Sequence, residues 1–304
     1  MYEAFYGLKE NPFSLTPDPK YFFFSKDHEE ALSHIIFAIN QGEGFIVLIG
    51  SVGTGKTTIS RVLMERLGNL LYTSLILNPF LTETELLSSI LWDFHLIPSG
   101  NTKKELIDQL NKFLLNEVAP SGKRALVIID EAQNLSMEVM EQIRLLSNLE
   151  TDKEKLLQIL LIGQEELAKK LANPALRQLN GRISTRYFLS PLKKKEVREY
   201  IEHRLKIATP NVDIKFTKGA IKEVYKFSRG VPRLINMICD RALLAGFVKS
   251  STTIDRNMVI KAKKSLIGEK EKEFKKILDK KKGLKKIFSF FKRKSFLDFN
   301  LSGR

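Results

Sequence analysis

The sequence predicts an α/β protein in which a five-stranded parallel sheet, covered by helices on both faces, is followed by a small helical domain. Two observations predict it. Continuous apolar runs such as residues 45–49 and 125–129 are typical of strands buried on both faces of a parallel sheet. These runs alternate with helix-compatible stretches up to about residue 190, and beyond it only helical periodicity is visible. The first part is therefore expected to be a three-layer domain.

Each element has a local signal. The predicted strands are residues 45–49, 70–78, 125–129, 156–163 and 183–189, the last being more polar than the others. The predicted helices of the first domain are residues 59–67, 82–94, 103–118, 136–149 and 165–172. Helices 82–94 and 103–118 have capping-type starts, and helix 136–149 has apolar residues at helical spacing. The predicted helices of the second domain are residues 193–208, 217–227, 232–248 and 255–266, with no strand between them.

Length and composition fit an enzyme-sized intracellular protein. The 304 residues are enough for two domains, with predicted ranges of 1–190, 191–267 and a tail at 268–304. The single cysteine, Cys239, excludes an internal disulfide framework and is expected to be a buried small residue. No secretory signal and no run of 18 uncharged apolar residues is present, so a cytoplasmic location is expected.

A glycine-rich octet follows the first predicted strand and precedes a helix. It reads Gly50, Ser51, Val52, Gly53, Thr54, Gly55, Lys56 and Thr57, with Thr58 after it. The pattern G-x-x-x-x-G-K-T in this context is typical of a loop that binds a polyphosphate. Its glycines let backbone N–H groups approach the phosphates, and the helix N-terminus adds partial positive charge. Lys56 is expected to contact the β- and γ-phosphates and Thr57 to ligate Mg²⁺. The chain is therefore predicted to bind a nucleoside triphosphate.

Polar side chains follow two further predicted strands. Asp130 and Glu131 end the apolar run 125–129, and Gln164 follows the strand at 156–163. Because ligands of open α/β sheets bind outside the carboxyl ends of the strands, we expect these side chains beside the phosphate loop. Asp130 is predicted to hold Mg²⁺, directly or through water, and Glu131 to polarise the attacking water. Gln164 is expected to orient that water, and a simple helix start is the less favoured alternative.

Four arginines are candidates for contacting the phosphates. Arg177, Arg182 and Arg186 lie close together before and within the last strand, and any one of them could be a surface residue. Arg182 is poorly placed to reach its own γ-phosphate and better placed to reach that of a neighbouring subunit. Arg233 follows Pro232 at the start of a helix of the second domain and is expected to project across the domain interface.

The positive charge is concentrated at the carboxyl end. The chain has a net charge of +15, and residues 270–304 contribute 13 Lys and Arg against 4 Asp and Glu, a net of +9. Phe288, Phe290 and Phe291 lie among these basic residues. Three interpretations stay open: a solvated, disordered tail, an amphipathic anchor on an anionic membrane surface, or a segment that binds nucleic acid or a partner.

Together the phosphate loop, the Asp-Glu strand end, the polar residue after the next strand, the arginines and the Gly-x-Pro-Arg sequence resemble those of the AAA+ ATPases. The chain is more specifically similar to the general secretion pathway protein A family. The similarity rests on residues 1–19, on Asp130-Glu131-Ala132-Gln133-Asn134-Leu135 and on Gly230-Val231-Pro232-Arg233-Leu234-Ile235-Asn236, and it covers residues 1–267. The amino-terminal stretch is the specific part of it.

The resemblance implies a P-loop AAA+ fold with a helical lid, bound to ATP and Mg²⁺. In the family's pattern Asn11 and Phe13 lead to the adenine pocket, and Lys56 and Thr57 hold the phosphates and Mg²⁺. Asp130 and Glu131 then serve hydrolysis. Gln164 takes the first sensor position and Arg233 the second, while Arg182 best matches the finger between subunits, with Arg186 next. Relatives that carry a transmembrane helix and a periplasmic domain differ from this chain, so no periplasmic role is expected.

Three functions stay open. The first is an oligomeric Mg²⁺-dependent ATPase that drives an envelope export or assembly system (secretion, pilus or exopolysaccharide), with partner proteins there and with its tail on the inner membrane. The second is a DNA-linked ATPase of the transposition or replication-initiator type, disfavoured because no helix-turn-helix follows the lid. The third is a switch with slow hydrolysis, against which Glu131 argues. A small-molecule kinase is disfavoured by the arginines and the lid.

Overall fold

The computed structural model describes residues 2–16, 18–68, 70–147, 149, 155–209 and 213–268. The predicted tail beyond residue 268, including its phenylalanines, lies outside the described residues. The strands are β1 (Phe45–Gly50), β2 (Tyr72–Ile76), β3 (Ala125–Ile129), β4 (Leu157–Gly163), β5 (Ile183–Leu189), β6 (Lys215–Phe216) and β7 (Thr253–Ile254). The helices are α1 (Tyr2–Tyr6), α2 (Lys26–Asn40), α3 (Lys56–Leu67), α4 (Glu83–Asp93), α5 (Lys103–Phe113), α6 (Met137–Leu146), α7 (Glu165–Leu171), α8 (Arg177–Arg182), α9 (Lys194–Ala208), α10 (Lys218–Ser228), α11 (Pro232–Val248) and α12 (residues 256–268).

The large sheet confirms the predicted fold class. Its five strands pair in parallel in the order β2-β3-β4-β1-β5. Successive side chains of a strand point to opposite faces. Phe45, Val47 and Ile49 accordingly join the apolar cluster under α4 to α8, while Ile46 and Leu48 join the cluster under α2 and α3. Helices thus cover both faces of the sheet and complete the three layers.

The order of the strands brings the polar strand ends together. β1, which leads into the glycine-rich octet, lies next to β4, and β4 lies next to β3. All three run in the same direction, so residues 50–57, Asp130 and Gln164 come to one edge of the sheet. This edge is where ligands bind in open parallel sheets.

Three helices that the sequence did not predict are present: α1, α2 and α8. Helix α2 begins after Ser25, whose side chain accepts a hydrogen bond from the His28 N–H. It buries Leu32, Ile35 and Ile39 against the sheet. Three short 3-10 helices (Pro19–Tyr21, Ala132–Asn134 and Pro174–Leu176) and a π-helical turn after α5 (Leu114–Val118) complete the helical structure.

The carboxyl-terminal part is helical, with one correction to the prediction. β6 and β7 form a two-stranded parallel pair, whereas no strand was expected after residue 190. The core of this helical part is a separate apolar cluster made by α9, α10, α11 and α12. Cys239 belongs to this cluster and is buried, as predicted. Burial raises the pKa of its thiol. Among the residues that the structure describes, no helix has the length and apolar character needed to cross a bilayer.

The amino-terminal segment packs on the helical part. Tyr2, Tyr6, Leu8 and Phe13 belong to the same apolar cluster as α9 to α11. The Tyr6 hydroxyl donates to the carbonyl of Leu243, which lies on α11. The domain boundaries at residues 190 and 267 stay a prediction, but the first residues of the chain share their core with the helical part.

Candidate active site

The octet runs from the end of β1 to the start of α3 and forms a loop with unpaired backbone amides. Gly53 and Gly55 have positive φ angles of 77° and 98°, which glycine adopts without strain. Among the described residues, the backbone N–H groups of Gly53, Gly55, Lys56 and Thr57 have no hydrogen-bond acceptor. Four unpaired amides at the start of a helix are a binding site for an anion. The loop therefore fits the phosphates of a nucleotide.

Lys56 is a buried cation at this loop. Its side chain is only 5% exposed, and its Nζ donates to the Ser51 carbonyl at 3.2 Å. Burial lowers the pKa of the Lys56 ammonium, and the carboxylates of Glu131 and Asp130 oppose that shift. The Ser51 hydroxyl oxygen is buried beside it without a partner among the described residues. A phosphate group would supply the negative charge and the acceptor oxygens that these two side chains lack.

Thr57 and Asp130 meet across the loop. The Thr57 hydroxyl donates to Asp130 Oδ2 at 2.6 Å, and the carboxylate is 2% exposed. Asp130 Oδ1 accepts a hydrogen bond from the Glu131 N–H at 2.8 Å. A hydroxyl and a carboxylate beside a phosphate loop are the hard oxygen ligands that Mg²⁺ prefers when phosphates complete its coordination. These two residues fit such an ion.

Two amide side chains hold Glu131. Its Oε2 accepts hydrogen bonds from Gln133 Nε2 at 2.5 Å and from Gln164 Nε2 at 2.8 Å. Gln133 Oε1 in turn accepts from the Gln164 backbone N–H at 3.0 Å. Gln164 thus contacts Glu131 directly, whereas the sequence predicted a contact with water. Gln133 was not predicted as a functional residue, although it lies two positions after Glu131.

A cavity of about 250 Å³ opens beside the phosphate loop, between the amino-terminal segment, α3, α9 and α11. Lys56, Thr57, Glu131 and Arg233 all line it. A Cβ atom at Gly53 would lie 2.7 Å from Arg233 Cβ, so the loop and the start of α11 are in direct contact. The phosphate loop and the predicted sensor arginine therefore line one cavity.

Asn11 and Phe13 do not line the cavity. Asn11 Nδ2 donates to Asp240 on α11 at 2.9 Å, and its Oδ1 accepts from the Phe13 N–H. Phe13 is 1% exposed and belongs to the helical core. The residues that immediately follow, residues 14–16, do line the cavity. The motif thus leads to the pocket, and its two side chains anchor that path.

Several lining residues were missed by sequence reasoning. Arg204 on α9 is buried, donates to the Pro12 carbonyl and lies 4.6 Å from the centre of the Tyr21 ring. Asn236 on α11 donates to the Ser14 carbonyl at 3.0 Å. These residues join distant parts of the chain, so no local pattern marks them.

His28 is a further missed residue, and it touches the phosphate loop. Its Nε2 lies 2.9 Å from the Thr54 carbonyl oxygen, and its Nδ1 lies 2.5 Å from Ser25 Oγ. The ring packs edge-on against Phe22. Burial lowers the pKa of His28, so the imidazole is neutral near pH 7. A histidine three residues after the helix cap Ser25 was the available signal.

Two of the three arginines of residues 177–186, Arg182 and Arg186, make hydrogen bonds within the chain. Arg182 Nη1 donates to the Arg144 carbonyl at 3.1 Å and to Ser147 Oγ at 2.8 Å, at the end of α6. Arg186 donates to the carbonyl and the side chain of Asn180. Arg177 is exposed. None of the three lines the cavity beside the phosphate loop.

Comparison with known proteins agrees with this geometry. A family model described as an AAA domain matches residues 39–171, which include the phosphate loop, Asp130 and Gln164. The general secretion pathway protein A of Aeromonas hydrophila is 48% identical over 255 residues, which is 84% of this chain and 46% of that protein. The chain belongs to the general secretion pathway protein A family of AAA+ proteins. It spans about half the length of that relative.

Solved AAA+ structures share the fold at low sequence identity. Cdc6p of Pyrobaculum aerophilum superimposes with a TM-score of 0.63 at 18% identity, covering 82% of this chain and 71% of that one. The ORC1 protein of Aeropyrum pernix, solved in complex with DNA, gives 0.61 at 16% identity over 84% and 69%. RuvB of Thermotoga maritima, a Holliday junction branch migration motor, gives 0.55 at 20% identity over 81% and 70%. These likenesses concern the AAA+ fold alone.

Proposed function

We propose that this AAA+ protein hydrolyses ATP in a Mg²⁺-dependent reaction at the cavity described above. The observation that carries the proposal is the Thr57–Asp130 hydrogen bond of 2.6 Å beside four unpaired loop amides. This hydrogen bond supports the proposal because it joins a hydroxyl and a carboxylate, the two proposed Mg²⁺ ligands, beside the loop proposed to hold the phosphates. Glu131 lines the same cavity, so a carboxylate that can activate water is also close.

Each side chain has a distinct role in this proposal. Lys56 and the loop amides hold the phosphate oxygens, and Thr57 and Asp130 hold Mg²⁺, which when bound neutralises charge on the transferring phosphoryl group. Glu131 accepts a proton from the attacking water at its other carboxylate oxygen, Oε1, while Gln133 and Gln164 hold Oε2. Arg233, which lines the cavity next to Gly53, contacts the phosphates from the helical side.

Two substitutions separate binding from hydrolysis. Lys56→Ala should lose nucleotide affinity because the phosphates lose their buried cation. Glu131→Gln should keep affinity and lose turnover, by about 10²-fold or more, because only the proton acceptor is removed. Fluorescent-nucleotide titration and phosphate release measure the two effects. Magnesium removal with a chelator should abolish turnover in the wild-type protein.

Matched controls come from exposed residues of the same types. Lys104→Ala on α5 and Glu65→Gln on α3 change the same charges away from the cavity and should leave both measurements at wild-type values. A Glu131→Gln protein that turns over ATP like the wild type would remove Glu131 from the mechanism. Undiminished ATP affinity in Lys56→Ala would overturn the site as a whole.

We further propose that the ATPase acts as a homo-oligomer in an envelope export or assembly system, at the cytoplasmic face of the inner membrane. The support is its similarity to a protein named for the general secretion pathway. Partner proteins of that system are then its clients, and residues 269–304, with their basic and aromatic residues, are the candidate membrane contact. A slow nucleotide-dependent switch is the alternative if turnover proves negligible.

A DNA-linked ATPase is the second candidate function, and a charge asymmetry favours keeping it. Residues 191–268 contain 18 Lys and Arg against 7 Asp and Glu, a net of +11, whereas residues 1–190 have 19 against 23, a net of −4. The three exposed residues of α10 are all lysines, Lys218, Lys222 and Lys226, one turn apart on one face. Such a row can bind any polyanion, and nucleic acid is one.

A further inference from the structure

The imidazole of His28 makes a direct hydrogen bond to the backbone of the phosphate loop. His28 is 3% exposed and lies on α2, a helix that precedes β1 in the chain and packs beside α3. Its Nε2 is 2.9 Å from the Thr54 carbonyl oxygen. A Cβ atom at Gly55 would lie 3.0 Å from the same nitrogen. The ring is therefore in van der Waals contact with the loop as well as hydrogen-bonded to it.

The two partners of the ring fix its tautomer. A carbonyl oxygen only accepts hydrogen bonds, so Nε2 must carry the proton and donate it to Thr54. In the neutral ring Nδ1 is then an acceptor, and the Ser25 hydroxyl at 2.5 Å donates to it. Ser25 thus holds the imidazole in the one tautomer that can bind the loop.

The geometry of the peptide bond carries this contact into the nucleotide site. The Thr54 carbonyl and the Gly55 N–H belong to one planar trans peptide, so they point in opposite directions. Because His28 holds the carbonyl on the α2 side, the Gly55 N–H is directed away from α2. That N–H is among the loop amides without an acceptor among the described residues. Gly55 has a φ of 98° and, being a glycine, no side chain that could fix the orientation of this peptide.

We propose that His28 is a positioning residue for phosphate binding: through the Thr54 carbonyl it orients the Thr54–Gly55 peptide so that its N–H points at the phosphates. The inference rests on the proposed binding of ATP and names a residue for it outside the octet. His28 itself contacts no phosphate in this role. Its effect should therefore be confined to ligands that carry phosphates.

Two amide substitutions test the inference with nearly the same chemistry. In His28→Gln the side-chain NH₂ reaches the position of Nε2 and can donate to Thr54. In His28→Asn it reaches only the position of Nδ1 and cannot. Isothermal titration of each full-length variant with ATP, ADP and adenosine is the measurement. His34→Asn, an exposed histidine of the same helix, is the control, and thermal denaturation without ligand checks folding.

We expect His28→Asn to weaken ATP and ADP binding by about tenfold, the loss associated with one hydrogen bond, and to leave adenosine binding unchanged. His28→Gln should stay within about threefold of the wild type, and His34→Asn should match it. Equal losses for adenosine and ATP would overturn the inference, because His28 would then shape the base pocket. Equal ATP affinities of the Asn and Gln variants would overturn it too. If the wild type itself fails to bind ATP, the proposed function fails first.

Discussion

Glu131 occupies a backbone conformation that few residues with a side chain adopt. Its φ and ψ of 51° and 34° lie in the left-handed region, which costs about 1–2 kcal/mol outside glycine. Its carboxylate is bound by both Gln133 and Gln164. Strain combined with two directed hydrogen bonds means that the position of this carboxylate is imposed by its surroundings. Residues that impose it should affect turnover more than nucleotide binding.

Gln133 allows that expectation to be tested. Gln133→Ala removes one donor to Glu131 and the acceptor of the Gln164 N–H, so the carboxylate loses its orientation. We predict that kcat falls by about tenfold or more while ATP affinity stays within about twofold. Asn134→Ala, at the exposed neighbouring position, is the control. A parallel loss of affinity and kcat would instead show that Gln133 maintains the shape of the pocket.

A site residue could be predicted from the sequence where the pattern that marks it is local, within a few neighbouring residues. The octet with Lys56 and Thr57 is contiguous, and Asp130 and Gln164 follow apolar strands, so their meeting at one sheet edge could be inferred. His28, Gln133 and Arg204 act through contacts between elements far apart in the chain. The unpaired amides of the loop and the φ of Glu131 are likewise properties of the folded backbone, for which the residue types give only a weak indication.

At the level of elements, the amino-terminal segment and α11 form one unit. The Tyr2 hydroxyl and Asn11 Nδ2 both donate to Asp240 in the middle of α11, and Tyr6 donates to Leu243 one turn further. The start of the same helix places Arg233 against Gly53 of the phosphate loop. A displacement of α11 would therefore move the segment that lines the cavity and the predicted sensor arginine together.

Some helices and strands could be predicted from the sequence and others could not. The boundaries of β3 and β5 could be predicted to the residue. A continuous apolar run marks β3 as a buried strand, whereas β5 is a more polar edge strand along which half-buried and exposed residues alternate. Helix α2 was missed although its buried residues Ala31, Leu32, Ile35, Ala38 and Ile39 have helical spacing and Ser25 caps it. The pair β6 and β7 could not have been predicted, because each strand has two residues and its partner lies almost forty positions away.

Arg182 is a candidate both for stabilising the end of helix α6 and for completing the site of a neighbouring subunit. The guanidinium binds the Arg144 carbonyl and the Ser147 side chain at the end of this helix, where a cation stabilises the helix dipole. Arg182→Ala should therefore lower thermal stability slightly. If Arg182 also completes a neighbour's site, mixing inactive Arg182→Ala with inactive Lys56→Ala protein should restore part of the ATPase activity.

The control for this mixing experiment is Arg177→Ala, an exposed residue at the start of α8. It should remain active by itself, and wild-type specific activity should rise with protein concentration. If activity is independent of concentration and neither Arg182→Ala nor Arg186→Ala regains activity when mixed with Lys56→Ala, the shared site is wrong. Arg182 then has only its structural role on α6.

At the scale of the whole molecule, the charge is divided between the parts of the chain. Residues 1–190 carry a net −4, residues 191–268 a net +11, and residues 269–304 a net +8 from 13 Lys and Arg against 5 Asp and Glu. The helical part and the segment after it are continuous in sequence and have the same sign. A negatively charged surface would therefore attract residues 191–304 and repel residues 1–190.

The last prediction is that residues 269–304 and the lysines of α10 act together on an anionic membrane surface. Deleting residues 269–304 should remove most of the sedimentation with vesicles that contain anionic lipid, because basic residues near such a surface contribute about 1 kcal/mol each. Lys218→Glu, Lys222→Glu and Lys226→Glu combined should remove the rest. ATPase activity should stay near the wild-type value in both variants, because the residues proposed for catalysis all precede residue 269 and none of the three lysines lines the cavity.

Vesicles of neutral lipid are the control and should bind no form of the protein. Raising the salt concentration should weaken binding, because the Debye length at physiological ionic strength is only about 8 Å. The competing outcome is equally specific. Duplex DNA binding that decreases linearly with the logarithm of salt, that is lost in the α10 variant and that occurs without vesicle binding would overturn the membrane contact. The basic face of α10 would then support the DNA-linked function.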